Sequence, residues 1–281
     1  MNKVKLYLSI ICFNIMVVFI LNGSATKYVW KDETLTGSVG EEIEIMADNI
    51  TLDLNGYGVY GNGSGTGILI ENKTNVFVKN GSVENWNNGI TLNGSSYCTI
   101  DNILTMDCRT GIRVQGSSSN EFNYIQKSAS WCSGDPTPRT GGQGFAVRDG
   151  ESIRVTDCEA WLSSNDGMDD EDSYDTWFYE CTVYDCGNNG IELDRSSHPY
   201  FYGCSSYNNR DGVDIMTTSY GLLWSSTMND NSKDGLRFET EARYNEVYYC
   251  SGTGNGWGGG GQNLDDQCQP SNYIDPSCNF P

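Results

Sequence analysis

A glycine followed by an apolar–x–apolar triplet recurs along most of the chain. It reads Gly67-Ile-Leu-Ile, Gly89-Ile-Thr-Leu, Gly111-Ile-Arg-Val, Gly144-Phe-Ala-Val, Gly167-Met-Asp-Asp, Gly190-Ile-Glu-Leu, Gly212-Val-Asp-Ile and Gly235-Leu-Arg-Phe. The steps between anchors are 22, 22, 33, 23, 23, 22 and 23 residues. A fixed period of this size marks a stacked repeat. Alternation within each triplet marks a short strand, and no helical period is sustained after residue 25. A second strand follows each anchor, as in Asn75-Val-Phe-Val, Ser152-Ile-Arg-Val, Asp175-Thr-Trp-Phe, His198-Pro-Tyr-Phe and Tyr220-Gly-Leu-Leu. Pairs such as Asn87-Asn88 and Asn188-Asn189 suit corners, because Asn and Gly tolerate left-handed backbone angles.

One coil of this kind cannot bury its apolar side alone. Stacking coils about 4.8 Å apart buries a continuous interior. The pattern therefore predicts an all-β fold, a parallel β-helix of about 8–9 coils. Two inward columns follow from the register. The first is Ile68, Ile90, Ile112, Phe145, Met168, Ile191, Val213 and Leu236; the second is Ile70, Leu92, Val114, Val147, Leu193, Ile215 and Phe238. The repeats occupy 67–252. Residues 26–66 read as an N-terminal cap with the first coil, and 253–281 as a C-terminal cap or tail containing Gly and Cys. The 33-residue step carries an insertion of about eleven residues around 133–143, expected to overhang the outward face.

Alternate residues point outward. One outward column reads Thr91, Arg113, Ala146, Asp169, Glu192, Asp214 and Arg237, the other Asn93, Gln115, Arg148, Glu171, Asp194, Met216 and Glu239. An acidic patch thus spans three coils with arginines on its flanks. Three readings fit it: acid–base catalysis by paired carboxyls, Ca²⁺ held by clustered oxygens, or a solvated acidic face. The catalytic candidates are Asp169, Glu192, Asp214 and Arg237. Arg113, Arg148, Glu171, Asp194 and Glu239 are the substrate-binding candidates. Asp169, Asp170, Glu192 and Asp214 are the metal candidates. Asp170 falls in the inward column, between Val147 and Leu193. A bare buried carboxylate is costly, so either a β-bulge turns Asp170 outward, the commoner solution, or something pairs with it.

Composition narrows the setting. The chain has 281 residues and a net charge of −20. Such a surface repels nucleic acid and anionic lipid. Lys3 and Lys5, the apolar run Leu6 to Leu21 and the small residues Gly23-Ser24-Ala25 read as a signal peptide over 1–25. The expectation is a secreted, cell-surface or periplasmic protein, off the membrane after cleavage. Cys158, Cys181 and Cys204 repeat at 23-residue steps. They read as a core column of small apolar side chains or as disulfide partners. Trp177, Tyr179, Tyr200, Tyr202 and Tyr207 read equally as a sugar-stacking surface or as rings packed on each other.

The Gly-apolar-x-apolar anchor, the short second strand and the Asn corners resemble the right-handed parallel β-helix repeat over roughly residues 50–255. Pectate-lyase-like and polygalacturonase-like enzymes, alginate epimerases and NosD-type periplasmic proteins share it. The resemblance implies the fold and its right-handedness, and an extracellular, uronate-type polysaccharide along the outward face. In polygalacturonase-like terms, Asn165-Asp166-Gly167-Met168-Asp169 is similar to the Asn-Thr-Asp-Gly segment, and Arg237 matches the arginine of Arg-Ile-Lys-Thr. Glu239 stands where that lysine would be, and Gly-His-Gly is absent. The epimerase Asp-Pro-His-Asp strand is also absent, and the one histidine, His198, lies in a turn. A lyase reading survives better than either: Ca²⁺ held by Asp169, Glu192 and Asp214 would neutralise the substrate carboxylate, and Arg113, Arg148, Arg195 or Arg237 would neutralise charge or, as in the lyases it resembles, act as base. The alternative is a non-catalytic surface or structural β-helix.

Overall fold

The computed structural model describes residues 25–116, 123–131, 142–239, 241–268 and 271–281. The signal segment falls almost wholly outside the described residues, and so does most of the inserted stretch near 133–143. No described helix is long and apolar enough to cross a membrane.

The chain winds into an all-β parallel solenoid. One face is an eleven-stranded parallel sheet. Its rungs include Thr66–Glu71, Asn88–Asn93, Thr110–Gln115, Gln143–Arg148, Met168–Glu171, Ile191–Asp194, Val213–Ile215 and Leu236–Phe238. Rungs at Thr26–Val29, Glu42–Ile45 and Leu264–Asp266 extend the ladder at both ends. This is why the sheet has more rungs than the repeats alone suggest. The long strands Phe77–Glu84 and Thr99–Met106 bend to serve two further faces, which later coils build from separate short strands.

The register matches the repeat. Ile112 pairs Ile90 and Phe145, and Met168 pairs Ile191, along one inward column. Both predicted inward columns are 3 % exposed or less. Burying each large side chain there is worth roughly 1.5–3 kcal/mol. Phe178 and Phe201, from successive coils, stack inside with centroids 4.8 Å apart.

The corners are left-handed. Asn75, Asp175, His198 and Tyr220 begin second strands with φ of 56°, 57°, 58° and 59°. Buried amides tie the coils together: Asn209 N–H donates to Asn231 Oδ1 at 3.0 Å, and Asn231 N–H to Asn255 Oδ1 at 2.9 Å. Cys158, Cys181 and Cys204 are free and buried. Burial pushes the Cys158 thiol up to about 12. Cys98, Cys250, Cys268 and Cys278 are likewise free, the last two in the terminal coil.

Candidate functional site

Asp169, Glu192 and Asp214 stand on three successive rungs, paired in register. Parallel strands put neighbouring rungs about 4.8 Å apart. Arg113 and Arg237 lie on the same column, and Arg237 pairs Asp214 in register. The catalytic candidates therefore converge on one face.

Two arginines bracket the acids. Arg148 reaches one column across, with Nη2 2.5 Å from Asp169 Oδ2, and it also pairs with Glu171. Gln143 Nε2 donates to the same Asp169 oxygen. At the other side, Arg237 Nη1 lies 3.4 Å from Asp214 Oδ2 and 2.6 Å from Glu239 Oε1. Asp194 pairs with Arg195 and accepts from Thr217 Oγ1 at 2.8 Å. Asp169 is 3 % exposed and Asp214 2 %. Glu192, between them, is half-buried and reaches solvent.

These environments favour protons. Burial pushes Glu192 up to about 7, the Asp166 charge adds to it, and the Asn189 hydrogen bond opposes it. Burial likewise pushes Asp214 up to about 7, against the Arg237 charge. Asp169 rises by burial to about 6, held back by Arg148. Near neutral pH the site thus holds groups that give and take protons.

For Asp170 the structure takes the paired arrangement and not the bulge. The residue pairs Val147 and Leu193 in the inward register and is 0 % exposed. Thr176 Oγ1 donates to it at 3.3 Å, and burial pushes its carboxyl up to about 7. A neutral acid with hydroxyl partners solves the cost of the buried charge. Asp170 therefore lies on the opposite side of the sheet from Asp169, Glu192 and Asp214, and cannot share a ligand with them. Among the described residues, no group of three or more His, Cys, Asp or Glu side chains is arranged to hold a metal ion. Arg148 and Gln143 engage Asp169 Oδ2, Asn189 engages Glu192 Oε2 and Arg237 engages Asp214 Oδ2, while Asp214 Oδ1 is buried without a partner.

One column escaped the sequence reading. The residue before each of the last four anchor glycines also belongs to this face: Asp166, Asn189, Asp211 and Asp234. Asp166 Oδ1 accepts the Asn189 N–H at 3.1 Å, and Asp211 Oδ1 accepts the Asp234 N–H at 2.8 Å. Asn189 Nδ2 donates to Glu192 Oε2 at 2.7 Å and lies 3.4 Å from Asp214 Oδ2. The signal was legible: Asp or Asn precedes the anchor in four successive coils. Counting alternation only after the glycine hid it. The glycine and the residue after it both face inward, as Gly167 beside Val183 and Met168 at 0 % exposure show.

The aromatic cluster lies on the other faces. Tyr179 stacks on Tyr202 at 5.0 Å and 3°, and Tyr184 on Tyr207 at 5.1 Å and 3°. Rings so stacked spend their faces on each other, which favours packing over a sugar platform.

The right-handed beta helix region family matches residues 66–197 and again 130–274. No curated protein matches the chain by sequence. Solved structures of the same fold include the Dettilon tailspike protein, 12 % identical with a TM-score of 0.66. That match covers 88 % of this chain and 62 % of the tailspike, so the chain spans less than two thirds of the tailspike's length. The A-module of the Azotobacter vinelandii mannuronan C-5 epimerase AlgE6 is 10 % identical, with a TM-score of 0.53 over 92 % of this chain and 91 % of that one. A Paenibacillus alginate lyase is 11 % identical, with a TM-score of 0.53 over 89 % and 99 %. At these identities the likeness is one of fold.

Proposed function

Because the chain belongs to the right-handed beta helix family, we propose that it is an exported protein that binds a polysaccharide along its eleven-stranded face and hydrolyses it there. One observation carries the reading: three carboxyls with raised proton affinity on adjacent rungs, clamped between Arg148 and Arg237. Several solved structures of this fold are named for action on such polymers, alginate among them, which supports the ligand class.

Glu192 takes the role of general acid. It keeps its proton to about pH 7 and is the member of the trio open to solvent. Asp169 takes the role of the opposing carboxylate, because Arg148 lets it ionise first. Adjacent rungs separate the two by about 4.8 Å, near the ~5 Å of retaining glycosidases. An elimination is less well served. It needs a substrate carboxylate at the reacting sugar, and here that sugar would sit among Asp166, Asp169, Glu192 and Asp214.

The test is incubation with neutral and uronate polysaccharides, with and without a calcium chelator, following reducing ends and unsaturated products. Saturated new ends, insensitive to chelator and abolished in Glu192→Gln, are expected. Unsaturated ends would replace hydrolysis with elimination. Binding without product on every polymer that binds would make the protein a non-catalytic β-helix.

A further inference from the structure

Arg113 differs from the other basic residues of this face. Arg148, Arg195, Arg210, Lys233 and Arg237 all pair with acids. Arg113 pairs with none among the described residues, and its Nε is buried without a hydrogen-bond partner. On one neighbouring rung stands Thr91, 4 % exposed, whose Oγ1 also lacks a partner. On the other stands Ala146, too short to fill the space or answer the charge. Burial, then the charges of Arg148 and Arg109, push the Arg113 guanidinium down from its ordinary value, and the Asp169 charge opposes them. Arg148 is itself spent on Asp169 and Glu171, so Arg113 and the Thr91 hydroxyl remain as the unpartnered pair on this column, with no acid on either neighbouring rung.

We propose that Arg113, with Thr91 beside it, is a subsite for an anionic substituent of the bound polysaccharide. This rests on the reading that the face binds a polysaccharide, and it adds where the charge is read. A guanidinium with a free edge and a hydroxyl beside it suits a planar or tetrahedral oxyanion. Uronate carboxylate and sugar sulfate share that chemistry. Position gives the further consequence. Arg113 and Glu192 are three rungs apart, about 14 Å at the rung spacing. The charged sugar is therefore held away from the bond that breaks, as a remote anchor. The reacting sugar, beside Asp166, Asp169 and Asp214, carries no negative charge.

The test uses protein labelled with ¹⁵N-arginine, with the Arg113 Nε–H resonance assigned by its loss in Arg113→Gln. Sodium glucuronate, glucose 6-sulfate and glucose are titrated separately. Expected are a saturable shift of that resonance with one or both anionic sugars and no shift with glucose. Glucuronate against sulfate then distinguishes the source of the anion. No shift with either anion, or an equal shift with glucose, overturns the subsite. The hydrolytic reading is scored separately, by the loss of cleavage in Glu192→Gln. Arg113→Lys, which keeps the charge but not the fork, is expected to retain part of the binding that Arg113→Gln loses. Full retention of binding in Arg113→Lys would overturn the proposed role of the guanidinium.

Discussion

Asn189 Nδ2 donates to Glu192 Oε2 at 2.7 Å and lies 3.4 Å from Asp214 Oδ2, so one amide joins carboxyls from two successive coils. Its own backbone N–H is spent on Asp166. Asn189 is a neutral hub among three acids, and it is 1 % exposed. The bond favours the ionised form of Glu192. In Asn189→Ala, Glu192 should therefore titrate above its present value of about 7. A lost hydrogen bond to a charged group is worth about 1.5–3 kcal/mol, so the shift should be readable by ¹³C NMR of labelled carboxyls. A Glu192 titration unchanged in Asn189→Ala would remove Asn189 from this role.

Stability should fall as pH rises through neutrality. Asp166 and Asp169 are pushed up to about 6, and Asp170, Glu192 and Asp214 to about 7, chiefly by burial. Their folded values lie above the unfolded ones, so the folded state holds the protons more tightly. That contribution is complete below about pH 4 and is lost on passing through pH 6 to 7. For Asp214 alone it is roughly 4 kcal/mol, at 1.36 kcal/mol per unit. Coupling keeps the total below a simple sum. Asp53 and Asp175 work in the opposite sense, since their hydrogen bonds and basic neighbours hold them below the ordinary value. They lose their contribution only as the pH falls below about 4. The melting temperature should be higher at pH 5 than at pH 8, by calorimetry. A melting temperature that rises over that interval would contradict the burial of these acids.

Asp170 separates interior from exterior. Its carboxyl sits among Ser173, Thr176 and Ser196, with Oδ2 buried and unpartnered. Asp170→Asn keeps the shape and removes the ionisation. The variant should match the parent at pH 5 and melt higher at pH 8. An equal loss at both pH values would mean that the carboxyl itself, and not its neutral form, is what the interior requires.

The interior was legible because a parallel ladder repeats one environment in every coil: Ile68, Ile90 and Ile112 report the same column three times over. The outward acids Asp169, Glu192 and Asp214 were legible for the same reason. Asp170 was not, because the sequence shows a carboxyl in an apolar column but not the hydroxyls of Ser173, Thr176 and Ser196 that stabilise it. Asn189 was hidden by parity, since the bend at the anchor glycine returns the preceding residue to the outward face. Arg148 was placed on the correct column, but its reach across to Asp169 depends on side-chain direction, which spacing does not give.

The anchor glycines set the coil spacing, and Gly190 stands at the centre of the site, between Asn189 and Glu192. A Cβ added there would lie 2.0 Å from Ser206 Oγ, 2.6 Å from Asn209 Nδ2 and 2.7 Å from the Gly212 carbonyl oxygen. None of the three can move freely. Ser206 Oγ donates to that same carbonyl at 2.6 Å, Asn209 Nδ2 donates to Ser206 Oγ at 3.0 Å, and the Ile191 N–H donates to the Gly212 carbonyl at 3.1 Å. Gly190→Ala must therefore push two coils apart or break these bonds, and overpacking of this kind costs about 1–3 kcal/mol or more. The strain falls between Asn189 and Glu192, so the site should loosen with the coil. Gly37 is the control, because an added Cβ there meets nothing within 4 Å. Gly37→Ala should stay within about 0.5 kcal/mol of the parent in urea unfolding, while Gly190→Ala unfolds at clearly lower urea. Equal midpoints for the two variants would show that the close approach of the coils at Gly190 is not what holds them in register.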